Sequence, residues 1–284
     1  MTSTQTGGPE YDARIRRAQH LAAAYPFAAE ILTFYLHIAA FQKTVHAQIP
    51  QSWGNQPVAR PGGHIRSELN LVILLPHFPA YLSLLEGKGP KPVAAAARDF
   101  AAKGSAAWIA SFADFWSFGC RPKQSSSDVE NTTEDPLILF ILQAFLQPYV
   151  EFLGARTTTA PLVVTARVCP WCGARPLLGV MRPEGDGGKR FLVCSFCLQE
   201  WEFRRILCPT CGEEAEAKLP VYVAEQLPHI RVEACDTCKF YLRTIDLTKD
   251  GNAVPLVDDL AAIPLTLWAQ EHGYTRLQPN LLGT

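Results

Sequence analysis

The chain has 284 residues, room for two domains at about 100 to 200 residues each. With 48% hydrophobic and 19% charged residues it is too apolar to be disordered and too polar to live mainly in a membrane, so it reads as soluble and globular. Lys+Arg 26 against Asp+Glu 27 leaves a formal charge of -1, without the basic excess that phosphate-backbone binding draws on.

Residues 1–10 are polar, and the next segment, with Arg14, Arg16 and Arg17, reads as an amphipathic helix, because no compact apolar run ends at a small-residue cleavage site. Glu30, His37 and Gln42 in the following flank argue against twin-arginine export, so a cytoplasmic location is expected. Phe27, Ile31, Phe34, Ile38, Phe41, Val45 and Ile49 recur at spacings of four and three, which predicts one apolar stripe on a long helix opened by Pro26. Residues 50–63, rich in Pro and Gly, predict a loop. The longest stretch without a charged side chain, 69–85, is broken by Asn70, Pro76, His77 and Pro79. It falls short of the roughly 20 apolar residues that a spanning helix needs, so no membrane insertion is expected.

Ala-rich 93–102 and the segment 99–118, broken near Gly104, predict further helix, and Ser-rich 122–133 a second loop. Glu134, Asp135 and Pro136 open a helix through Leu153, since acidic residues and proline suit a helix N-terminus. These stripes predict a helical bundle. Over 157–165 the chain turns to Thr and Val and favours extended structure. Beyond the cysteines, 240–245 is again extended, Asp250-Gly251 signals a turn, and 257–272 returns to helix with Gly273 at its C-cap.

The informative count is nine cysteines, eight of them in four C-x-x-C pairs. A random scatter would give roughly 0.25 such pairs. The pairs are Cys169/Cys172, Cys194/Cys197, Cys208/Cys211 and Cys235/Cys238. First to third is an offset of 39 (208 − 169) and second to fourth one of 41 (235 − 194), so the segment repeats. Cys169-Pro170-Trp171-Cys172-Gly173 matches Cys208-Pro209-Thr210-Cys211-Gly212, and Arg190 and Arg231 each stand four residues before the next pair. The economical assignment is one four-thiolate site per repeat: Cys169, Cys172, Cys194 and Cys197, then Cys208, Cys211, Cys235 and Cys238. Interleaving across the repeats is the alternative.

Reduced thiols in this pattern point to metal rather than disulfides. Two residues between cysteines let a tight turn aim both sulfurs at one ion. Gly173 and Gly212 can take the positive φ that such a turn often requires just after its second cysteine, while Leu198 and Lys239 occupy the equivalent places, so those two turns must be less glycine-like or slightly strained. Four sulfurs in a tetrahedron suit zinc or iron. Two divalent ions on eight thiolates would take the charge from -1 to about -5, which Arg167, Arg175, Arg190 and Arg231 could offset. A four-cysteine site is closed to substrate, so a structural clip is the first expectation and an iron-based redox or oxygen-sensing role the second.

No catalytic residues stand out: there is no G-x-G-x-x-G, P-loop or nucleophile elbow. His20, His37, His46, His64, His77, His229 and His272 form no pair at ligand spacing and read as surface or packing residues. Cys120 reads as a free thiol without a base partner, and Phe112, Phe115, Trp116 and Phe118 as a core or interface stripe. Gly185-Asp186-Gly187-Gly188 reads as a hairpin tip. Over 165–245 there are 11 Lys+Arg and 10 Asp+Glu, so a nucleic-acid-binding zinc ribbon is disfavoured.

The sequence resembles the formate dehydrogenase accessory protein family, FdhE. The resemblance rests on Cys169-Pro170-Trp171-Cys172-Gly173-Ala174-Arg175-Pro176, on Arg190-Phe191-Leu192-Val193-Cys194-Ser195-Phe196-Cys197 with Trp201, on Cys208-Pro209-Thr210-Cys211 and on Cys235-Asp236-Thr237-Cys238-Lys239-Phe240-Tyr241-Leu242. Asp258-Asp259-Leu260-Ala261 through Leu267-Trp268 and Gly273-Tyr274 is similar to the family's C-terminal helix, and Ala28 to Tyr35 with Gln42 is similar but less distinctive. The resemblance implies a cytoplasmic, non-catalytic maturation factor with rubredoxin-type iron-binding knuckles, engaging the formate dehydrogenase catalytic subunit. Pro264 departs from the pattern by standing inside that helix, where it could kink it. The expected architecture is α+β: a helical domain over 1–160, tandem rubredoxin-like or zinc-ribbon-like modules over 161–246, and a C-terminal helix and tail over 247–284.

Overall fold

The computed structural model of the chain describes residues 11–53, 65–119, 135–157, 164–185 and 187–283. Cys120, His64, Asp186, the segment 122–133 and most of 50–63 and 157–165 lie outside the described residues.

Helix α1 (Tyr11–Ala24) buries Tyr11, Arg14, Arg17, Ala18 and Leu21. Two arginines can sit on that buried stripe because each meets a carboxylate: Arg14 is 2.9 Å from Glu151, and Arg17 is 2.5 Å from Asp258. Helix α2 (Ala29–Trp53) follows a short 3-10 turn, Pro26–Ala28. Proline opens that turn and not the helix, and Phe27 on it is exposed, outside the stripe expected for it. Phe34, Ile38, Val45 and Ile49 are buried as the periodicity requires. A second stripe, Leu32, Tyr35, Ala39 and Gln42, is buried as well, because α2 is flanked on two sides, by α1 and by α7 (Pro136–Gly154). Pro50 lies inside the last turn of α2, so the helix runs four residues into the segment expected as loop.

Helices α3 (Leu71–Leu74), α4 (Phe78–Lys88), α5 (Lys91–Ala102) and α6 (Gly104–Phe118) complete the layer with α7. The break between α5 and α6 falls at Gly104, whose φ is +76. At the start of α7, Asp135 accepts from the Leu137 N–H at 2.8 Å, and Pro136 stands in the first turn, as predicted. Phe78 is the hub of an aromatic core, with ring centroids 4.7 Å from Phe145 and 4.9 Å from Phe112. Helix α7, and not the stretch 69–85, is the described helix long and apolar enough to cross a membrane. Of its most apolar window, 78% is buried inside the protein, as expected of a core helix.

The cysteine-rich region forms a seven-stranded sheet, and its topology displays the repeat. Strands β1 (Pro176–Glu184), β2 (Gly187–Cys194) and β3 (Glu200–Glu202) make one antiparallel meander. Strands β4 (Val221–Val223), β5 (Ile230–Ala234) and β6 (Phe240–Asp246) make a second. Each repeat therefore runs knuckle, strand, strand, knuckle, strand. The halves join where β1 pairs parallel with β6, giving the order β3-β2-β1-β6-β5-β4. Gly179 is required at that join: a Cβ there would collide with Thr244.

The single C-terminal helix expected over 257–272 is two helices, α8 (Pro255–Ala261) and α9 (Ile263–Glu271). Ala262, at φ -84 and ψ 34, separates them, and Pro264 falls in the first turn of α9, where a missing N–H costs nothing. Gly273 follows at φ +78, and β7 (Thr275–Arg276) returns to pair with β6. Buried Asp259 of α8 is 2.7 Å from Arg243 on β6 and 2.7 Å from Arg276 on β7, so one carboxylate ties helix and sheet together.

Candidate metal centres

All four knuckles are built alike. In each, the N–H of the first cysteine donates to the carbonyl five residues on: Cys169 to Ala174, Cys194 to Gln199, Cys208 to Glu213 and Cys235 to Phe240, at 2.8 to 3.0 Å. The residue after the second cysteine is left-handed in every case: Gly173 (φ 71), Leu198 (φ 56), Gly212 (φ 83) and Lys239 (φ 59). Leucine and lysine thus take the conformation that glycine takes in the other two, at a cost of order 1 kcal/mol each. Backbone N–H groups of Phe196 and Cys197 point at Cys194 Sγ at 3.3 and 3.4 Å, and that of Thr210 points at Cys208 Sγ at 3.4 Å. Such contacts stabilise thiolate over thiol.

The sulfurs converge within each repeat, not across repeats. In site one, Cys172 Sγ is 3.3 Å from Cys194 Sγ and 3.7 Å from Cys197 Sγ, and Cys169 Sγ is 3.5 Å from Cys197 Sγ. In site two, Cys208 to Cys238 is 3.7 Å and Cys211 to Cys235 is 3.6 Å. A tetrahedron with metal–sulfur bonds of about 2.3 Å has edges of about 3.8 Å. The donor atoms therefore fit a divalent ion bound by four thiolates, and each group could hold one.

The two groups differ in their surroundings. Every cysteine of site one is at most 2% exposed, and all four belong to the apolar cluster that contains Phe78, Phe145 and Trp201. In site two, Cys208 and Cys235 are buried, Cys211 is exposed and Cys238 is partly so. Burial, reinforced by the neighbouring thiols, pushes Cys194 and Cys197 well above the ordinary thiol range. Burial would raise Cys172 too, but hydrogen bonds from the other three thiols override it and hold it well below that range. Cys172 thus takes a negative charge readily while Cys194 and Cys197 resist theirs, a conflict that a divalent cation relieves.

Of the arginines expected beside the sites, Arg167 donates to the Thr210 carbonyl of site two at 3.1 Å. Arg190 meets Glu233 at 2.5 Å and Arg231 meets Asp246, so both are spent on carboxylates of the second repeat. The Arg175 carbonyl, and not its side chain, serves site one, accepting from the Ser195 N–H and hydroxyl. Sequence reasoning missed Arg66, whose Nε donates to the Cys172 carbonyl at 2.9 Å and whose guanidinium lies 3.9 Å from the centre of the Phe196 ring. Nothing in its spacing marked it. His229 is buried, not at the surface, with Asp250 and Asp258 close enough to share an ion. Arg17 already supplies the positive charge there, 2.7 Å from Asp250 and 2.5 Å from Asp258.

A helical layer packed on two meander modules that share one sheet, each with its own four-cysteine group, defines a class of tandem-knuckle α+β protein. Residues 168–205 match the FdhE central domain and residues 206–282 the FdhE C-terminal domain. The FdhE homolog of Aquifex aeolicus is 35% identical over 159 residues, 56% of each chain. That of Pseudomonas aeruginosa is 38% identical over 120 residues, 40% of this chain and 39% of the relative. These alignments thus span about half of the relatives' lengths or less. The crystal structure of the FdhE protein from Pseudomonas aeruginosa has a TM-score of 0.67 against this chain at 24% identity, covering 98% of it and 96% of that chain, and shares its fold.

Proposed function

We propose that the protein is a cytoplasmic, non-catalytic accessory factor in the assembly of formate dehydrogenase, and that it engages the catalytic subunit of that enzyme. The observation that carries this reading is the FdhE match across both four-cysteine modules. The closed four-sulfur groups support a role in holding a shape, because a tetrahedral centre with four protein ligands leaves no position for substrate or activated water. Cys169, Cys172, Cys194 and Cys197 would hold one ion, zinc or iron, and Cys208, Cys211, Cys235 and Cys238 the other. The ions would supply cross-links between knuckles, and the protein's own part is to fix those knuckles on one sheet. Co-purification of the tagged full chain with a formate dehydrogenase catalytic subunit, and loss of that enzyme's activity on deletion, are the expected results. Neither effect being seen would refute the proposal.

A second reading has one observation in its favour. Cys211 is exposed and Cys238 partly so, so iron at site two would stand close enough to solvent to exchange electrons with a partner or react with oxygen. Anaerobically prepared protein containing zinc alone, with no thiolate-to-iron absorption, would exclude it.

A further inference from the structure

The 3-10 turn Ile65–Ser67 lies more than 100 residues before Cys169, yet it touches both knuckles of site one. The Ile65 N–H donates to the Trp171 carbonyl at 3.1 Å, and Arg66 Nε to the Cys172 carbonyl at 2.9 Å, both on the first knuckle. The Arg66 guanidinium stacks on Phe196, which stands between Cys194 and Cys197 on the second. Its remaining nitrogens turn the other way: Nη1 donates to the Trp116 carbonyl and Nη2 to that of Gly119, at the C-terminal end of α6. Trp116 returns a bond from Nε1 to the Arg66 carbonyl at 2.7 Å, and its ring meets Phe196 edge-on at 5.3 Å. Arginine suits this position because one planar fork can serve three carbonyls and a ring face at once, which a lysine ammonium cannot.

We infer that Arg66 is the positioning residue of site one, through which the helical layer holds its two knuckles together and registers whether an ion is bound. A divalent ion on four thiolates carries a net charge of about -2, and Arg66 places a fixed positive charge against both knuckles that share it. The same guanidinium draws the last turn of α6, where backbone carbonyls go unpaired, towards site one. Metal retention at site one and order at the end of α6 are then linked, and by reciprocity each strengthens the other. At site two the corresponding contact, Arg167 on the Thr210 carbonyl, is exposed and reaches one knuckle. The inference requires that the cysteines bind metal and is independent of any client.

The test uses zinc-loaded full-length protein under an excess of chelator, followed by zinc release and by hydrogen exchange over residues 112–119. Wild type should release zinc in two phases, the exposed site two first. Arg66→Met should speed the slow phase at least about tenfold, the lower end of what losing an outer partner of a metal ligand usually costs, and leave the fast phase within about twofold. Arg66→Lys, which keeps the charge but loses the fork, should follow Met. In wild type, exchange over 112–119 should rise only as the slow zinc leaves, while in Arg66→Met it should be raised with zinc still bound. An unchanged slow phase, equal acceleration of both phases, a Lys variant that behaves as wild type, or wild-type protein with no slow zinc would each overturn the inference. Should Arg66→Met fail to fold, Phe196→Leu removes the stacked ring instead and should speed the slow phase several-fold. No change there would count equally against it.

Discussion

Site one and site two share the same turn, the same five-residue backbone bond and the same left-handed residue after the second cysteine. One is nonetheless sealed inside the apolar cluster that runs from Phe78 to Trp201, with Arg66 reaching it from the helical layer. The other has Cys211 in solvent and is braced by the second meander, the Asp259 ion pairs and α8. The difference teaches that the repeat specifies coordination geometry, whereas how firmly an ion is held comes from residues outside the repeat. Site one is in effect part of the core of the whole protein. Site two is a clip on its surface.

The largest effect should separate Cys172→Ser from Cys211→Ser. Metal binding at a structural thiolate site is also folding free energy, and at site one the core itself depends on it. Cys172→Ser should cost at least about 5 kcal/mol and leave little folded protein, while Cys211→Ser should melt lower by a smaller margin. Equal losses in a denaturation series would erase the contrast.

A second contrast lies in how the second meander is braced. Burial works to raise the Asp259 carboxyl, but the Arg243 and Arg276 guanidiniums override it and hold it below the ordinary carboxylate range. Because the folded value is depressed, this stabilisation is complete above the unfolded value of about 3.9 and disappears as the pH falls through the lower folded one. Asp259→Asn should therefore cost about 3 to 5 kcal/mol at neutral pH, the usual penalty for breaking a buried pair. Urea titrations should show that difference shrinking at pH values below the folded one. A gap that stays constant with pH would mean that the carboxylate charge is not what is lost.

A smaller effect sharpens the comparison at the thiols. In metal-loaded protein under limiting chelator, an alkylating reagent should modify exposed Cys211 first and Cys194 and Cys197 last, since those two are buried. Mass spectrometry of the early adducts reads the order, and early labelling of Cys194 would contradict the burial of site one.

Much of this was legible in advance, and for identifiable reasons. The eight cysteines announced themselves by spacing, and the offsets of 39 and 41 correctly grouped them, because a repeat in sequence is a repeat in local backbone geometry. The stripe of Ile38, Val45 and Ile49 and the cap at Asp135 were equally local. Contacts between distant segments were not legible. The parallel join of β1 to β6 depends on Gly179 facing Thr244, which no periodicity reveals. Arg14 and Arg17 look like solvent-facing charges until Glu151 and Asp258 are brought to them. The break at Ala262 was misplaced onto Pro264 because a proline in the first turn of a second helix and one inside a single helix read alike.

The most direct measurement is the metal content of the intact protein by native mass spectrometry, for wild type and for Cys211→Ser. The account predicts two ions per wild-type chain and one in the variant, retained at site one. A single ion in wild type, or loss of both ions from Cys211→Ser, would contradict two independent four-thiolate centres.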